Sequence, residues 1–180
     1  MKKNALEHLA YPVGRFTPQG DYSDEKRAEW VQTLAIFPAQ LATEVATLDA
    51  EGLNQQYRPG GWNIRQVVHH CADSHLNAYI RFKLALTEDN PTVKPYDEAA
   101  WAALPDTDST PVYASLELLR YLHQRWVVLL NNMSEADFHR TYYHPEHEAS
   151  FTLWGALDTY QWHCRHHLAH VLLAIANTKA

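Results

Sequence analysis

The stretch from Leu153 to Asn177 constrains the fold more than any other part of the chain. Its apolar residues recur at the three- and four-residue spacing of an amphipathic helix. Four histidines fall within eight residues of it, namely His163, His166, His167 and His170. Histidines four apart lie one turn above each other on a helix, so two imidazoles can bind one divalent ion without distorting the backbone. The stretch therefore predicts a long helix that can carry a metal site.

A helical wheel gives the two histidine pairs different positions on this helix. The apolar stripe is made of Leu157, Cys164, Leu168, Val171 and Ile175. His163 and His167 lie on the shoulder of that stripe, whereas His166 and His170 lie close to the opposite side. We therefore expect the first pair to line the interior and the second pair to face water. Histidines beside a core stripe also serve as hydrogen-bonded packing residues, so the pattern alone leaves packing and metal binding both open.

Composition narrows the choice of partners and compartment. The 180 residues suit one domain with a single sizeable core, and the 46% of hydrophobic residues favours a packed globular protein. The formal net charge is -6 and no run is rich in lysine or arginine, so we expect neither nucleic acid nor a membrane as a partner. Cys71 and Cys164 form no CxxC pair, and no disulfide scaffold is expected. Without a signal-peptide core or 18 consecutive apolar residues, a cytoplasmic protein is the expectation.

Three further helices are predicted upstream of the last one. They cover residues 23 to about 50, 62 to about 88, and about 113 to 132. Each carries apolar residues at helical spacing, and the first opens at a serine followed by two acidic residues, a common N-terminal signal. A long connection with four prolines, residues 89–111, is expected to cover a site or to span the bundle. Residues 139–150 are expected to form a small hairpin.

Four amphipathic helices, with no comparable run of alternating strand residues, predict an all-α fold, an antiparallel four-helix bundle. Residues 1–180 are expected to form a single domain of this kind, in which residues 1–22 are an extended N-terminal arm packed on the body. The long connection between helices 2 and 3 permits a crossover in place of a tight hairpin. Bundles commonly build metal sites from side chains on facing helices.

Several motifs resemble those of the DinB-like superfamily, and more closely those of the YfiT family of metal-dependent hydrolases. The most specific is the segment from Tyr57 to His70, YRPGGWNIRQVVHH, which is followed by Asp73-Ser74-His75. The others are residues 79–83, 95–98, 143–145 and 162–170. The likeness runs over nearly the whole chain. It implies a DinB/YfiT-like four-helix bundle that binds one divalent metal ion, acts on a small substrate and forms a homodimer.

The resemblance also implies which side chains bind the metal. In that family three histidines hold one ion, one from the second helix and an i, i+4 pair from the fourth. The matching positions here are His70, His163 and His167. The last two agree with the wheel of the fourth helix. The wheel of the second helix instead places His75 in the interior, so His69 and His75 remain alternatives to His70.

Three neutral imidazoles leave a divalent ion with an open coordination position, which is the pattern of a catalytic site. Imidazole suits zinc, our first expectation, and also nickel. The resemblance implies hydrolysis of a small substrate, with transfer of a low-molecular-weight thiol and a non-catalytic metal-stabilised bundle as the alternatives. No general base stands out. Asp73 and Asp158 are the nearest carboxylates on the ligand helices, but a carboxylate on a helix more often forms a salt bridge or orients a metal ligand than acts as a base. Arg81, Trp126 and Tyr160 either line a pocket or pack the bundle.

Overall fold

The computed structural model describes residues 2–177, with side chains from residue 6 onward. Its elements in chain order are α1 (Lys2–Ala10), α2 (Asp24–Val45), α3 (Ala50–Leu53), α4 (Ile64–Thr87), α5 (Glu98–Trp101), α6 (Pro105–Ser109), α7 (Val112–Asn131), α8 (Glu135–Phe138), β1 (Thr141–His144), β2 (Ala149–Thr152) and α9 (Leu153–Asn177). The four long helices α2, α4, α7 and α9 form the bundle, which confirms the expected fold class. No helix within residues 2–177 is long and apolar enough to cross a membrane.

Side-chain caps place the helix starts close to where the sequence predicted them. The Ser23 hydroxyl accepts a hydrogen bond from the Lys26 backbone N–H at the start of α2. At the start of α4, Asn63 and Gln66 form a reciprocal capping box. The expected hairpin is confirmed as β1 and β2, which pair antiparallel. The last helix is also confirmed over the full predicted stretch.

Two segments differ from the prediction. Residues 2–10 form a helix and are not extended, because the turn-forming residues of the N-terminal arm begin only at Pro12 and Gly14. The first bundle helix ends at Val45, and the following residues form the separate short helix α3, capped by Asp49. The prediction merged these two elements because the apolar spacing continues across the break.

The four long helices pack in a ring in which α2 and α4 each contact both α7 and α9. The long connection therefore joins two helices that are neighbours, α4 and α7, and is not a crossover to a distant helix. The part of this connection around the start of α5 lies over the space between α4 and α9. The ring order matters for the site because it sets α4 directly beside α9.

Aromatic side chains fill much of the core. The largest fully buried side chains are Trp30, Trp126, Trp154, Phe37, Phe82 and Phe138. Trp126 is 0% exposed and meets the rings of Phe82 and Tyr160 edge-on. Of the two alternatives left open for Trp126, the structure thus shows packing. Cys71 and Cys164 are buried and form no disulfide.

Candidate metal centre

Three histidines converge where α4 and α9 lie side by side. His70 projects from α4, and His163 and His167 project from successive turns of α9. Each offers a ring nitrogen, and the three nitrogens lie within 4.8 Å of one another. The structure therefore brings together the three side chains that the resemblance implies as ligands.

The spacing and charge state of these rings fit a divalent cation. The Nε2 atoms of His70 and His163 are 3.3 Å apart, longer than the common hydrogen-bond range of about 2.7 to 3.2 Å. Two nitrogens each about 2.05 Å from one ion at a tetrahedral angle would be about 3.3 Å apart. Burial lowers the pKa of His70 to about 4 and those of His163 and His167 well below the usual value, so all three rings are neutral at pH 7. Neutral imidazole is the form that binds a metal.

A chain of buried histidines supports His163 from behind. The Nδ1 of His163 lies 2.9 Å from Nε2 of His75, and Nδ1 of His75 lies 2.7 Å from Nε2 of His123. The chain ends at the backbone, where Nδ1 of His123 lies 2.6 Å from the carbonyl oxygen of Leu34. That carbonyl is available because Pro38, four residues further along α2, has no N–H to donate to it.

This chain fixes the tautomer of each ring in it. The Leu34 carbonyl can only accept, so His123 must donate from Nδ1. Burial lowers the pKa of His123 to about 4 and that of His75 well below its usual value, so each ring is neutral and carries one proton. His75 must then donate from Nδ1 to His123, and His163 must donate from Nδ1 to His75. The lone pair of His163 consequently lies on Nε2, the nitrogen that faces His70.

The other candidates on α4 lie outside the group of three nitrogens. His75 is 0% exposed, as the wheel expected, but its two nitrogens contact His123 and His163. The Nδ1 of His69 lies 2.8 Å from the hydroxyl of Ser115 on α7. Neither residue belongs to a metal-sized group of nitrogens with His163 and His167 among the described residues. The wheel identified the buried side of α4 correctly. Several residues share that side, however, and only His70 lies level with His163 and His167 of α9.

The expectation that His166 and His170 face water is wrong. They are 7% and 3% exposed. His166 stacks on Trp162 and His170 on Tyr57, with ring centroids 4.3 Å and 3.8 Å apart. The Nε2 of His170 lies 3.2 Å from the Ala10 carbonyl oxygen of the N-terminal arm. A wheel assumes one buried side per helix, whereas α9 packs on the bundle on one side and is covered by the arm on the other.

Two cavities meet at His163. The larger cavity has a volume of about 860 Å³. Its walls are formed by part of the connection between α4 and α7 and by Arg81, Tyr160 and His163, among others. The smaller, about 440 Å³, lies beneath the N-terminal arm and is lined by His70, His163 and His167, with Tyr57 and Arg58 at its wall. Arg81 and Tyr160 thus line a pocket. A small molecule in either cavity would reach His163.

Glu98 lines both cavities and is the carboxylate that the sequence reasoning missed. Partial burial, and then the nearby Glu146 and Asp97, raise the pKa of its carboxyl group. Its place in the segment 95–98, one of the motifs of the resemblance, was the available signal. Asp158, in contrast, is 0% exposed and accepts hydrogen bonds from the Gln19 backbone N–H and the Gln161 side chain, which is a structural role. Burial also raises the pKa of Asp73, which does not line either cavity.

The fold and the site define a class of protein: a four-helix bundle in which two neighbouring helices hold a cluster of neutral histidines between open cavities. A family model of the DinB superfamily matches residues 23–171. Because this match spans most of the chain, the chain belongs to the DinB superfamily.

The chain is similar to bacterial proteins over nearly their full length. It is 46% identical over 164 residues to the Bacillus subtilis (strain 168) protein named "Putative metal-dependent hydrolase YfiT", covering 91% of this chain and 92% of that protein. It is 48% identical over 166 residues to a Bacillus mycoides (strain KBAB4) protein that is also named as a metal-dependent hydrolase, covering 92% and 95%.

Two solved structures share the fold. That of YfiT from Bacillus subtilis, described as a probable metal-dependent hydrolase with an unusual four-helix bundle topology, matches with a TM-score of 0.92 at 44% identity and covers 96% of this chain and 98% of that one. A mycothiol-dependent maleylpyruvate isomerase matches with a TM-score of 0.66 at 14% identity, over 87% of this chain and 63% of that chain. The second likeness shows the fold alone.

Proposed function

We propose that this protein is a metal-dependent hydrolase of a small substrate, in which His70, His163 and His167 hold one divalent ion. The observation that carries the proposal is the convergence of three neutral imidazole nitrogens at the junction of two open cavities. We propose zinc as the resident ion, with nickel as the alternative, because both suit imidazole ligands. The names of the similar Bacillus proteins support the same reading.

The ion, when bound, supplies Lewis acidity and lowers the pKa of water at its open position. The residues of this chain do the rest. The chain from Leu34 through His123 and His75 holds the His163 ring in one orientation and one tautomer. This support keeps Nε2 of His163 in place without rearrangement during the reaction.

Polar side chains that line the larger cavity can bind a substrate and exchange a proton with it. The carboxylate of Glu98 can accept a proton at either oxygen, and its raised pKa brings it closer to the operating range of a general base. The Tyr160 hydroxyl lies 3.2 Å from the Ser74 carbonyl oxygen, to which it donates. The Arg81 guanidinium lines the same cavity and can bind a carboxylate or a carbonyl oxygen of the substrate. A short polar molecule fits this set of groups.

Turnover of a panel of small esters and amides tests the proposal. Each compound is assayed with zinc-loaded, nickel-loaded and metal-free protein, and with and without a low-molecular-weight thiol. We expect metal-dependent hydrolysis without the thiol. Turnover that requires the thiol would identify a transferase instead, and absence of any metal-dependent turnover in a folded, metal-loaded protein would favour the non-catalytic bundle.

We also propose that the protein is a cytoplasmic homodimer that associates through the connection between α4 and α7, residues 89–111, together with the N-terminal arm. Trp101 and Leu104 in this connection are 39% and 49% exposed, and apolar side chains of this kind suit an interface. The N-terminal arm also packs on α9 of its own chain. We expect light scattering to give the dimer mass at micromolar concentrations and Leu104→Glu to reduce it. A monomer mass for the unmodified chain would refute the dimer.

A further inference from the structure

A second group of histidine nitrogens lies on the arm side of α9. His166, His167 and His170 each offer one ring nitrogen, and these nitrogens lie within 4.8 Å of one another. All three side chains are at most 7% exposed. They line the smaller cavity, so an ion can reach them from the same space that serves the first group.

The geometry of this group repeats that of the first. The Nδ1 atoms of His167 and His170 are 3.4 Å apart, against about 3.3 Å for two nitrogens that share a tetrahedral zinc ion. His170 donates from Nε2 to the Ala10 carbonyl, so in the neutral ring the lone pair is on Nδ1, the atom that faces His167. Donation of the distant N–H to a backbone carbonyl is the usual support of a metal-binding histidine.

His166 supplies an independent sign of a ligand site. Its Nδ1 is buried and has no hydrogen-bond partner among the described residues. A buried polar atom without a partner is costly, and a metal ion or an ordered water is a common explanation.

We propose that His166, His167 and His170 form a second position for a divalent metal ion, which shares His167 with the first. A neutral imidazole has one lone pair, so His167 serves one ion at a time and the two positions compete for it. The guanidinium of Arg58 lies 5.5 Å from the centroid of the Tyr57 ring, which stacks on His170, and its positive charge weakens cation binding at the second position relative to the first. The second position therefore fills when the first is disabled.

Zinc binding to four proteins tests this: the unmodified chain, His166→Phe, His70→Ala and the double variant. The phenyl ring keeps the stack on Trp162 but removes the ring nitrogens, and His70→Ala removes a ligand of the first position only. We expect His166→Phe to bind one zinc ion as tightly as the unmodified chain. His70→Ala should bind one ion more weakly than the unmodified chain. The double variant should bind zinc at least about tenfold more weakly than His70→Ala, a loss typical of removing a group that supports a metal site.

The cycle separates the failure of each position. If His166→Phe has no effect in the His70→Ala background, or if His70→Ala binds no zinc, the second position does not exist. Equal weakening by His166→Phe in both backgrounds would also overturn it, because His166 would then act on the first position. Loss of tight zinc by His166→Phe alone would instead move the main site away from His70. His70→Ala with His139→Ala, which removes an exposed histidine, is the matched control. Circular dichroism verifies folding throughout.

Discussion

At the scale of single residues, His163 is the most determined side chain of the site. Both of its ring nitrogens are assigned, Nε2 to the space shared with His70 and Nδ1 to His75. The residues behind it, His75 and His123, belong to neither metal-sized group of nitrogens among the described residues. They disfavour the other tautomer of His163, in which Nε2 would carry the proton and could not bind a metal ion.

Replacing His123 tests this role. In His123→Leu the Nδ1–H of His75 loses its acceptor, so the chain no longer dictates which nitrogen of His163 is protonated. We expect zinc affinity to fall by about 10- to 100-fold, the usual cost of losing a group that orients a ligand. His123→Gln can accept from His75 and donate to the Leu34 carbonyl, and should restore most of the affinity. Calorimetric titration measures both, and equal affinity for all three proteins would show that the chain is only packing.

Glu98 is open to a similarly direct experiment. If its carboxylate takes a proton during the reaction, Glu98→Gln should lower kcat by about 10²- to 10⁴-fold, the usual contribution of a general base. The zinc content should not change, because Glu98 belongs to neither group of candidate metal ligands. Glu29→Gln, the same change at an exposed residue of α2 that lines neither cavity, is the matched control. Equal kcat for the two variants would remove Glu98 from the mechanism.

The sequence predicted some of these residues and could not predict others. His163 and His167 follow from helical periodicity, because two candidate ligands on one helix need only one local rule. His70 lies on another helix, and only the resemblance selected it among three histidines of α4. The contact between His75 and His123 depends on how α4 meets α7, which no local pattern contains. Glu98 sits in a connection whose path over the site is likewise a tertiary feature.

At the scale of elements, α9 is buried on two sides. Its first side faces the bundle and matches the apolar stripe, whereas its second side carries histidines and lies under the N-terminal arm. Three hydrogen bonds fasten the arm: His170 to the Ala10 carbonyl, Trp162 Nε1 to the Gly14 carbonyl, and the Gln19 N–H to Asp158. Polar residues on a helix can thus be covered by an irregular segment, which is why the wheel failed for His166 and His170.

Two truncations test how much the arm contributes. Removal of residues 1–9 keeps all three hydrogen bonds and should change the free energy of unfolding little. Removal of residues 1–19 breaks them all, and at about 0.5 to 1.5 kcal/mol each we expect a loss of roughly 2 to 4 kcal/mol. Urea unfolding of both proteins measures the difference. A similar stability for the two would show that the arm covers α9 without stabilising it.

At the scale of the whole molecule, the ring order of the helices creates the site. Since α2 and α4 each contact both α7 and α9, the consecutive pairs α2–α4 and α7–α9 are not the main packing partners. The sequence predicted the four helices, although it made the first too long, but connection lengths alone do not reveal this order. Placing α4 between α7 and α9 lets one histidine of α4 meet α9 and another meet α7.

This architecture also concentrates buried neutral histidines, which makes the stability of the metal-free protein depend on pH. Nine of the 12 histidines have pKa values lowered mainly by burial. Their value in the unfolded chain is about 6.5. Below that pH the unfolded chain binds protons that the folded protein does not, so stability falls as pH falls. For His123, with a folded pKa of about 4, the full loss is about 3 kcal/mol.

We therefore expect the metal-free protein to keep its helical circular dichroism at pH 8 and to lose stability steeply between pH 6.5 and about 4. The bundle core supplies enough apolar burial to fold without an ion, unlike small domains that need a closed zinc site. Zinc binds the native state, so it should raise stability at pH 8 by mass action, and this gain should shrink as protons compete for the imidazoles. Urea unfolding at a series of pH values, with zinc and with a chelator, measures both curves. Unfolding on chelation at pH 8 would instead make the ion structural, and a flat curve below pH 6.5 would mean that the histidines are not buried as neutral rings.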